Sequence, residues 1–415
     1  MLLEPVSKLS ADVIVIGAGV AGTTAASVLA QQGRKVLLLD ARADCPPVFK
    51  AEKVERDELR LLDDFGLLAP LLAQSGKSSE VYVAYDGRIF RRTPMQQIGI
   101  PYCDLVNTLR SNLPAAVETK FGRVNGISHD NGITSAHLDD GEELTARLVV
   151  VACGIGHQLL SSLGLRRRII QKQQCVGVGF DMIPANGHPF PFQAVTYYPT
   201  TGAHGIDYLT LFKFRHTTRA NLFLFRPIND SWTKEFHHQP RLLLQRAFPK
   251  LSQVIGDYRV SGKVVSSCVD LFSTEGNMPD GVVLIGDALQ TACPSTGLGI
   301  RKVLTDVSVL AECAPAWFST AGMSAEKLQR FYDHPHKRVT DAHAMRRAIH
   351  QRKAATSQSL RWRLYRALLH LRRNLATPIQ LPAQPQRQDA RLRPIGPNRV
   401  GAGNNSARSA AISQH

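Results

Sequence analysis

The stretch VIVIGAGVAG at residues 13–22 constrains the fold of this chain more than any other. It sets Gly17-x-Gly19-x-x-Gly22 between an apolar run and a helical segment, AGVAGTTAASVLAQQG, and a second apolar run, RKVLLLD, follows. Strands apolar throughout suit a parallel sheet covered on both faces, so the opening reads as a strand, turn, helix, strand unit of α/β type. Gly17 permits the tight turn, Gly19 lets backbone approach a pyrophosphate, and Gly22 lets helix and strand pack closely. The helix N-terminus then holds the phosphates with its free N–H groups. Asp40, ending the second run, is placed to accept ribose hydroxyls, and its charge disfavours a 2′-phosphate. A glycine turn needed only for packing is the competing reading. With Asp40 in place, the ligand read here is NAD or FAD.

A second glycine-rich turn decides between them. GDALQTACPSTGLGIR, residues 286–301, follows the apolar run GVVLI. A nicotinamide dehydrogenase has no use for this element, whereas FAD carries a ribityl chain and a wide ring beyond its pyrophosphate. Asp287 can accept from ribityl hydroxyls. The stretch from Pro294 through Gly297, Leu298 and Gly299 can aim a helix N-terminus at the flavin's pyrimidine edge, where negative charge develops on reduction. Two turns would then clasp one extended FAD.

The rest of the chain divides around this clasp. The expected class is α/β, with a Rossmann-like FAD-binding domain at 1–78, 98–165 and 270–330. An inserted, mostly antiparallel β-sheet substrate domain takes 79–97 and 166–269, where short alternating strands rich in aromatics occur. AEKVERDELRLLDDFGLLAPLL and RLLLQRAFPKLSQVIGDY read as helices, EVYVAYDGRIFRRTP as a hairpin turning at Asp86-Gly87, and 116–154 as a meander returning to a buried strand. A basic helical extension covers 331–377, and the Pro, Gln, Arg and Asn composition of 378–415 predicts disorder.

The residues VIVIGAGVAG, Asp40, Gly286-Asp287, Pro294, Gly297, Gly299 and Asp306 give the chain a resemblance to the FAD-dependent aromatic hydroxylases. These are the single-component flavoprotein monooxygenases that include p-hydroxybenzoate and ubiquinone-pathway enzymes. FKAEKVERDELRLLDDFGLL is similar to the family's segment after the second strand, with Lys50 where an arginine usually touches the cofactor. The resemblance spans roughly the first 330 residues. It departs at Gln290, Arg301, Cys153-Gly154 and Tyr102, where the family usually has His, Asn, Asp-Gly and Arg. It implies that NADPH or NADH transiently reduces FAD. A flavin C4a-hydroperoxide would then hydroxylate or epoxidise an aromatic, quinone-like or lipid-like small molecule. No catalytic residue is assigned. His204, Asp207 and Tyr208, with Tyr197 and Tyr198, are candidates for the substrate side, against a reading as ordinary sheet residues. Lys50, Arg88, Arg91 and Arg92 can meet nicotinamide phosphates or simply face water. A flavin reductase of isoprenoid double bonds and an accessory flavoprotein that modifies a protein partner are the alternatives.

The formal charge of +16 is uneven, since residues 331–415 hold 16 Lys and Arg against 3 Asp, leaving +3 for the first 330. No recognition motif accompanies the basic end, so nucleic acid is not an expected partner. Seven scattered cysteines suggest reduced thiols, and no histidine or cysteine spacing suggests a metal. The N-terminal residues lack the pattern of a secretory signal, and the apolar runs are too short to span a bilayer, which predicts a cytoplasmic protein. Residues 360–375 form a basic amphipathic helix. We expect it to cap the FAD domain with its leucines and show arginines to water; the alternative is peripheral contact with an anionic membrane.

Overall fold

The computed structural model describes residues 9–200, 205–214 and 217–379. It opens with β1 (Val13–Ile16), α1 (Val20–Gln31) and β2 (Val36–Asp40), the two strands parallel and buried. Next come β3 (Ala51–Glu55), α2 (Arg56–Asp64) and α3 (Leu68–Gln74). The sequence predicts one helix across residues 51–72. Instead, Ala51–Glu55 pairs antiparallel with residues 97–101, and a capping box between Glu55 and Glu58 starts the helix at Arg56. Gly66, at φ +70°, then separates α2 from α3.

β4 (Gly76–Tyr85) and β5 (Arg88–Pro101) form the hairpin expected at Asp86-Gly87. After α4 (Tyr102–Ser111), β6 (Val117–Phe121) leaves the predicted meander and runs parallel to β2. β7 (Val124–Asp130), β8 (Ile133–Leu138) and β9 (Glu143–Ala146) form a small antiparallel sheet, followed by β10 (Leu148–Val151) and α5 (Gln158–Ser162). The next layer holds β11 (Arg166–Pro184), β12 (Ala194–Tyr198), β13 (Ile206–Lys213), β14 (Thr218–Leu224), α6 (Ser231–His238), α7 (Pro240–Ala247), α8 (Leu251–Ile255) and β15 (Tyr258–Glu275). The helix predicted over 241–258 is broken between α7 and α8, where Pro249 has no N–H to continue the ladder. β16 (Val282–Leu284), α9 (Gly299–Phe318), α10 (Ala325–Asp333), α11 (Pro335–Thr356) and α12 (Leu360–Leu375) complete the chain.

The first sheet runs β16-β10-β1-β2-β6 with every pair parallel. Alternate residues serve its two faces: Val13, Val15, Leu38, Val150 and Val283 pack under α1 and α9, while Ile14, Ile16, Leu37, Leu39, Val149 and Val151 pack toward the small sheet. The second sheet runs β15-β11-β14-β13-β12-β4-β5-β3 and is antiparallel except where β12 meets β4. It is wider than the sequence boundaries, taking in residues 51–55, 76–78, 98–101 and 270–275. One of its faces, with Val176, Val178, Leu209, Leu211, Leu222 and Leu224, is closed by Phe236, Leu243 and Phe248 of the α6–α8 segment. Ile379 donates its N–H to Ile89 O (2.7 Å), so the start of the predicted tail is tied to β5; the residues beyond it lie outside the described ones.

α12 differs most from expectation. It lies on the second sheet, with Arg373 stacked on Tyr198 (4.0 Å) and Arg88 bonded to Asn374 (2.8 Å). Its leucines point away from the protein. The inner face is taken by groups with directional partners: Arg366 donates to the carbonyls of Ala354 and Ser357, and Trp362 and Tyr365 meet His350 edge-on. Among the described residues no helix is long and apolar enough to cross a membrane.

A buried ion cluster docks α11 on α9. Asp306 accepts from Lys302 (3.0 Å), Lys337 (2.5 Å) and the Gly286 N–H (2.8 Å), and Asp341 completes the set with both lysines (3.4 and 3.0 Å). Two positive and two negative charges cancel. Asp306→Asn keeps the volume but leaves two lysines facing one carboxylate, and urea denaturation is expected to show a loss of about 3–5 kcal/mol. Burial alone would raise the pKa of Asp306, but Lys302 and Lys337 hold it low. Burial likewise works against the charge on Lys302, which the aspartates keep above its ordinary value. A depressed acid stabilises above its unfolded value and a raised base below its own. The cluster's contribution is therefore complete between about pH 4 and pH 10, lost in acid through Asp306 and in alkali through Lys302.

Candidate functional site

The first turn is shaped by close backbone approach. A Cβ on Gly17, whose φ is +102°, would meet Ala152 O at 2.5 Å, and one on Gly22 would meet Gly17 O at 1.8 Å, so neither position admits a side chain. α1 starts at this turn with no side-chain cap and no acid in its first turn, leaving its N–H groups for an anion. Asp40 closes the turn, accepting from Ala18 N (2.7 Å) and Arg42 N (3.0 Å). A carboxylate offers about four acceptor positions, so capacity for a ribose hydroxyl remains. Arg110, in the last turn of α4, locks the arrangement: it donates to Ala18 O (2.8 Å), Arg42 O (2.9 Å) and Ala43 O (2.6 Å), and pairs with Asp40 (3.3 Å). Nothing in the sequence pattern of α4 announces that role.

The second turn mirrors the first. Gly286 has φ +61° and is held by Asp306 through its N–H. Pro294 begins a short turn, Pro294–Thr296, and Gly297 follows at φ +68°. A Cβ on Gly297 or Gly299 would meet nothing within 4 Å, so these glycines leave backbone open rather than making room for packing. α9 begins at Gly299, after Leu298, again without a side-chain cap or an acid in its first turn.

Lys50, Tyr102 and Asp287 join the two turns. The Tyr102 hydroxyl stands 3.4 Å from where a Gly19 Cβ would be, and the Lys50 ammonium sits 4.5 Å from the Tyr102 ring centre and 2.8 Å from Glu52. Lys50 remains 59% accessible although neighbouring protein desolvates its charge, so the junction of the two turns is an open cleft. Desolvation opposes the charge of Lys50, but Glu52, Tyr102 and Asp287 outweigh it and hold its pKa above the ordinary value. Asp287 shares the cleft: enclosure pushes its carboxyl up, opposed by Lys50 and Lys302. Arg167 adds a cation near Asp287 and Cys153, stacked on Phe272 at 4.1 Å, and its buried Nε finds no acceptor among the described residues. An orphaned donor, two uncapped helix starts and a glycine cradle fit an extended, phosphate-bearing ligand.

The second sheet turns its other face to this cleft. Tyr208 donates to Ser295 O in the second turn (2.5 Å), and its ring meets Tyr198 (5.8 Å) and Phe223 (5.0 Å). Asp207 is half-buried, its Oδ2 buried and unpaired among the described residues, and burial first, then Cys293, pushes its carboxyl to about 8 against the pull of Arg347 and Arg373. Cys293 is pulled the other way, toward the thiolate, by hydrogen bonds from Cys175, Ser295 and Gln174. α11 seals this side, with Gln351 bonded to Ser295 Oγ (3.1 Å) and O (3.3 Å), and Arg352 to the carbonyls of Gln173 (2.9 Å) and Gln174 (2.7 Å). The basic extension is thus part of the site wall.

Not every candidate converges here. Tyr197 is a core residue whose hydroxyl accepts from Gly87 N (2.7 Å), and His204 lies outside the described residues. Arg88 and Arg92 are engaged by Asn374 and Glu80. Among the described residues, no three His, Cys, Asp or Glu side chains gather as metal ligands.

Lys50→Met removes the cation that links Tyr102 to Asp287. It is expected to weaken FAD about tenfold, the worth of one charge-assisted contact, read from quenching of flavin fluorescence. An unchanged affinity would remove Lys50 from the site.

Comparison with known proteins shows the family. The family described as an FAD binding domain matches residues 10–313. Digeranylgeranylglycerophospholipid reductase 2 of Methanopyrus kandleri is 24% identical over 351 residues, spanning 78% of this chain and 81% of that protein. Ubiquinone hydroxylase of Rhodospirillum rubrum is 27% identical over 328 residues, 73% and 72% of the two chains. The fold is similar to that of p-nitrophenol 4-monooxygenase from Pseudomonas putida, with a TM-score of 0.69 at 17% identity, covering 88% and 94%. With two glycine turns on one cleft and a match across most of its length, the chain belongs to the FAD binding domain family and is an FAD-dependent oxidoreductase of the aromatic-hydroxylase superfamily.

Proposed function

We propose that the chain is an NAD(P)H-dependent monooxygenase that hydroxylates or epoxidises an aromatic, quinone-like or lipid-like small molecule. One observation carries this reading: the Asp207 carboxyl, with one buried oxygen unpaired among the described residues, lies beside Tyr198 and Tyr208, next to the second glycine turn. FAD, held by residues 17–22, Asp40, Lys50, Asp287 and the backbone at 297–299, supplies the redox chemistry. The chain's own part is orientation and proton handling. Tyr198, Tyr208 and Phe223 offer flat apolar faces to a ring. Asp207, once ionised, can accept the proton of a substrate hydroxyl and leave the ring richer in electrons. Gln351 and Arg352 fix α11 over this side and keep water out. The ubiquinone hydroxylase among the relatives supports a substrate of this kind.

The reductase relatives support a second reading, saturation of isoprenoid double bonds. In that chemistry the same Asp207 would act in its protonated form, donating to carbon. The sign of the pH dependence separates the two. With a carboxyl near 8, a base at Asp207 makes substrate-stimulated NADPH oxidation rise as pH increases through about 8, whereas an acid makes it fall. Asp207→Asn is expected to remove the inflection and to lower turnover about a hundredfold with flavin content unchanged. A flat profile in the parent protein would leave Asp207 without a proton-transfer role and defeat the hydroxylase reading in this form.

A further inference from the structure

The outer face of α12 is an unpartnered apolar stripe. Leu360, Leu364, Leu368, Leu371 and Leu375 are 70, 55, 59, 52 and 76% exposed, and their spacing puts them in one row along the helix. The other exposed large apolar residues described are scattered singly through the chain, as on ordinary surfaces. At 100° per residue, Arg361 and Arg372 flank the row on one side and Arg363 on the other, all three exposed. No Asp or Glu occurs on the helix. The inner face is fastened by Arg366 to the end of α11 and by Arg373 and Asn374 to the second sheet, so the stripe is held outward rather than left loose.

We infer that this face docks on an anionic lipid bilayer. A row of leucines bordered by arginines matches the boundary between acyl chains and negatively charged headgroups, with the guanidinium stems able to reach outward to phosphates. Charge argues against the other occupants. A second copy would set arginine rim against arginine rim with no acid on either helix. The residues after 379 carry five Arg and one Asp, so they share the sign of the face they would have to cover. The position also has a consequence, which rests on the proposed reading: Arg373 reaches from the inner face of this helix to Tyr198, beside Asp207 and Tyr208. A docked protein would hold its substrate side near the lipid.

The test is sedimentation of the full-length, FAD-loaded protein with vesicles of phosphatidylcholine alone or mixed with phosphatidylglycerol. Binding is expected to the mixed vesicles, to weaken with salt, and to be far weaker on phosphatidylcholine alone. Leu364→Gln, Leu368→Gln and Leu371→Gln combined are expected to abolish binding, with the flavin spectrum and the far-ultraviolet circular dichroism retained. Arg361→Gln, Arg363→Gln and Arg372→Gln combined are expected to weaken it about a hundredfold. Full binding by the leucine variant would put the lipid contact in the basic tail and overturn the inference. No vesicle binding by a parent dimer that the leucine variant turns into a monomer would overturn it too, by showing that the stripe pairs with itself. Neither readout uses catalysis, so failure of the hydroxylase reading would leave this result standing.

Discussion

The Asp306 carboxylate is the group on which the second half of the molecule depends. It stands buried between α9 and α11, flanked by Lys302 and Lys337, and its Oδ2 also receives the Gly286 N–H. One side chain thereby sets the strand-end turn, the direction of α9 and the place of α11. An ion pair buried this deeply gives little net stability against an apolar substitute, because desolvation offsets most of the attraction. What it provides is geometry. Two carboxylate oxygens with three donors admit one orientation of the turn, and Lys302 returns to the Gly286 carbonyl (3.4 Å) to close the ring.

From that ring the site builds outward. Asp306 lies on α9 itself, so its bond to the Gly286 N–H sets the strand-end turn against that helix, whose N-terminus and partial positive charge begin at Gly299. α11 is clamped at its first turns by Lys337 and Asp341, and its later turns carry Gln351 onto the second glycine turn and Arg352 onto the second sheet. The wall behind Asp207 and Tyr208 is thus positioned from the FAD domain, although the residues themselves belong to the other sheet. This explains why the basic helical extension forms part of the cleft wall.

How much of this was legible depends on the range of the interaction. Residues 17–22 and 286–301 could be read because a glycine turn between strand and helix is a local device. β1, β2, β10 and β16 could be read because apolar runs report burial on both faces. Ala51–Glu55 was hidden because its partner strand is more than forty residues away, and a short amphipathic stretch before a helix looks helical. Lys302 and Lys337 carry no sequence signal, since their burial has meaning only with Asp306 and Asp341 assembled around them. Arg110 and Arg167 were silent for the same reason: Arg110 acts on a loop distant in sequence, and Arg167 stacks on the distant Phe272. On α12 the leucine row was visible, but the assumption that leucines face inward failed, because arginines and aromatics with directional partners took the inner face.

The four departures from the family pattern form one consistent set when their neighbours are considered. Arg301 would add charge at the first turn of α9, but Asp57 and Glu58 at the start of α2 engage it. Tyr102 lacks the cation expected there, yet Lys50 lies on its ring and restores positive charge between the turns. Cys153 lacks a carboxylate, and its neighbour Arg167 keeps a donor unpaired where the charge pattern has become more positive. Gln290 turns its amide to the Asp341 carbonyl (3.1 Å), joining the second turn to the ion cluster from outside. At Arg301 and Tyr102 a neighbour rebalances the charge, whereas at Cys153 the loss of the acid and the nearby Arg167 both make the cleft more positive. The net result is a cleft whose cations, Lys50 and Arg167, flank Asp287 rather than lining a single edge. This suits a ligand that presents negative charge at its middle and neutral rings at its ends.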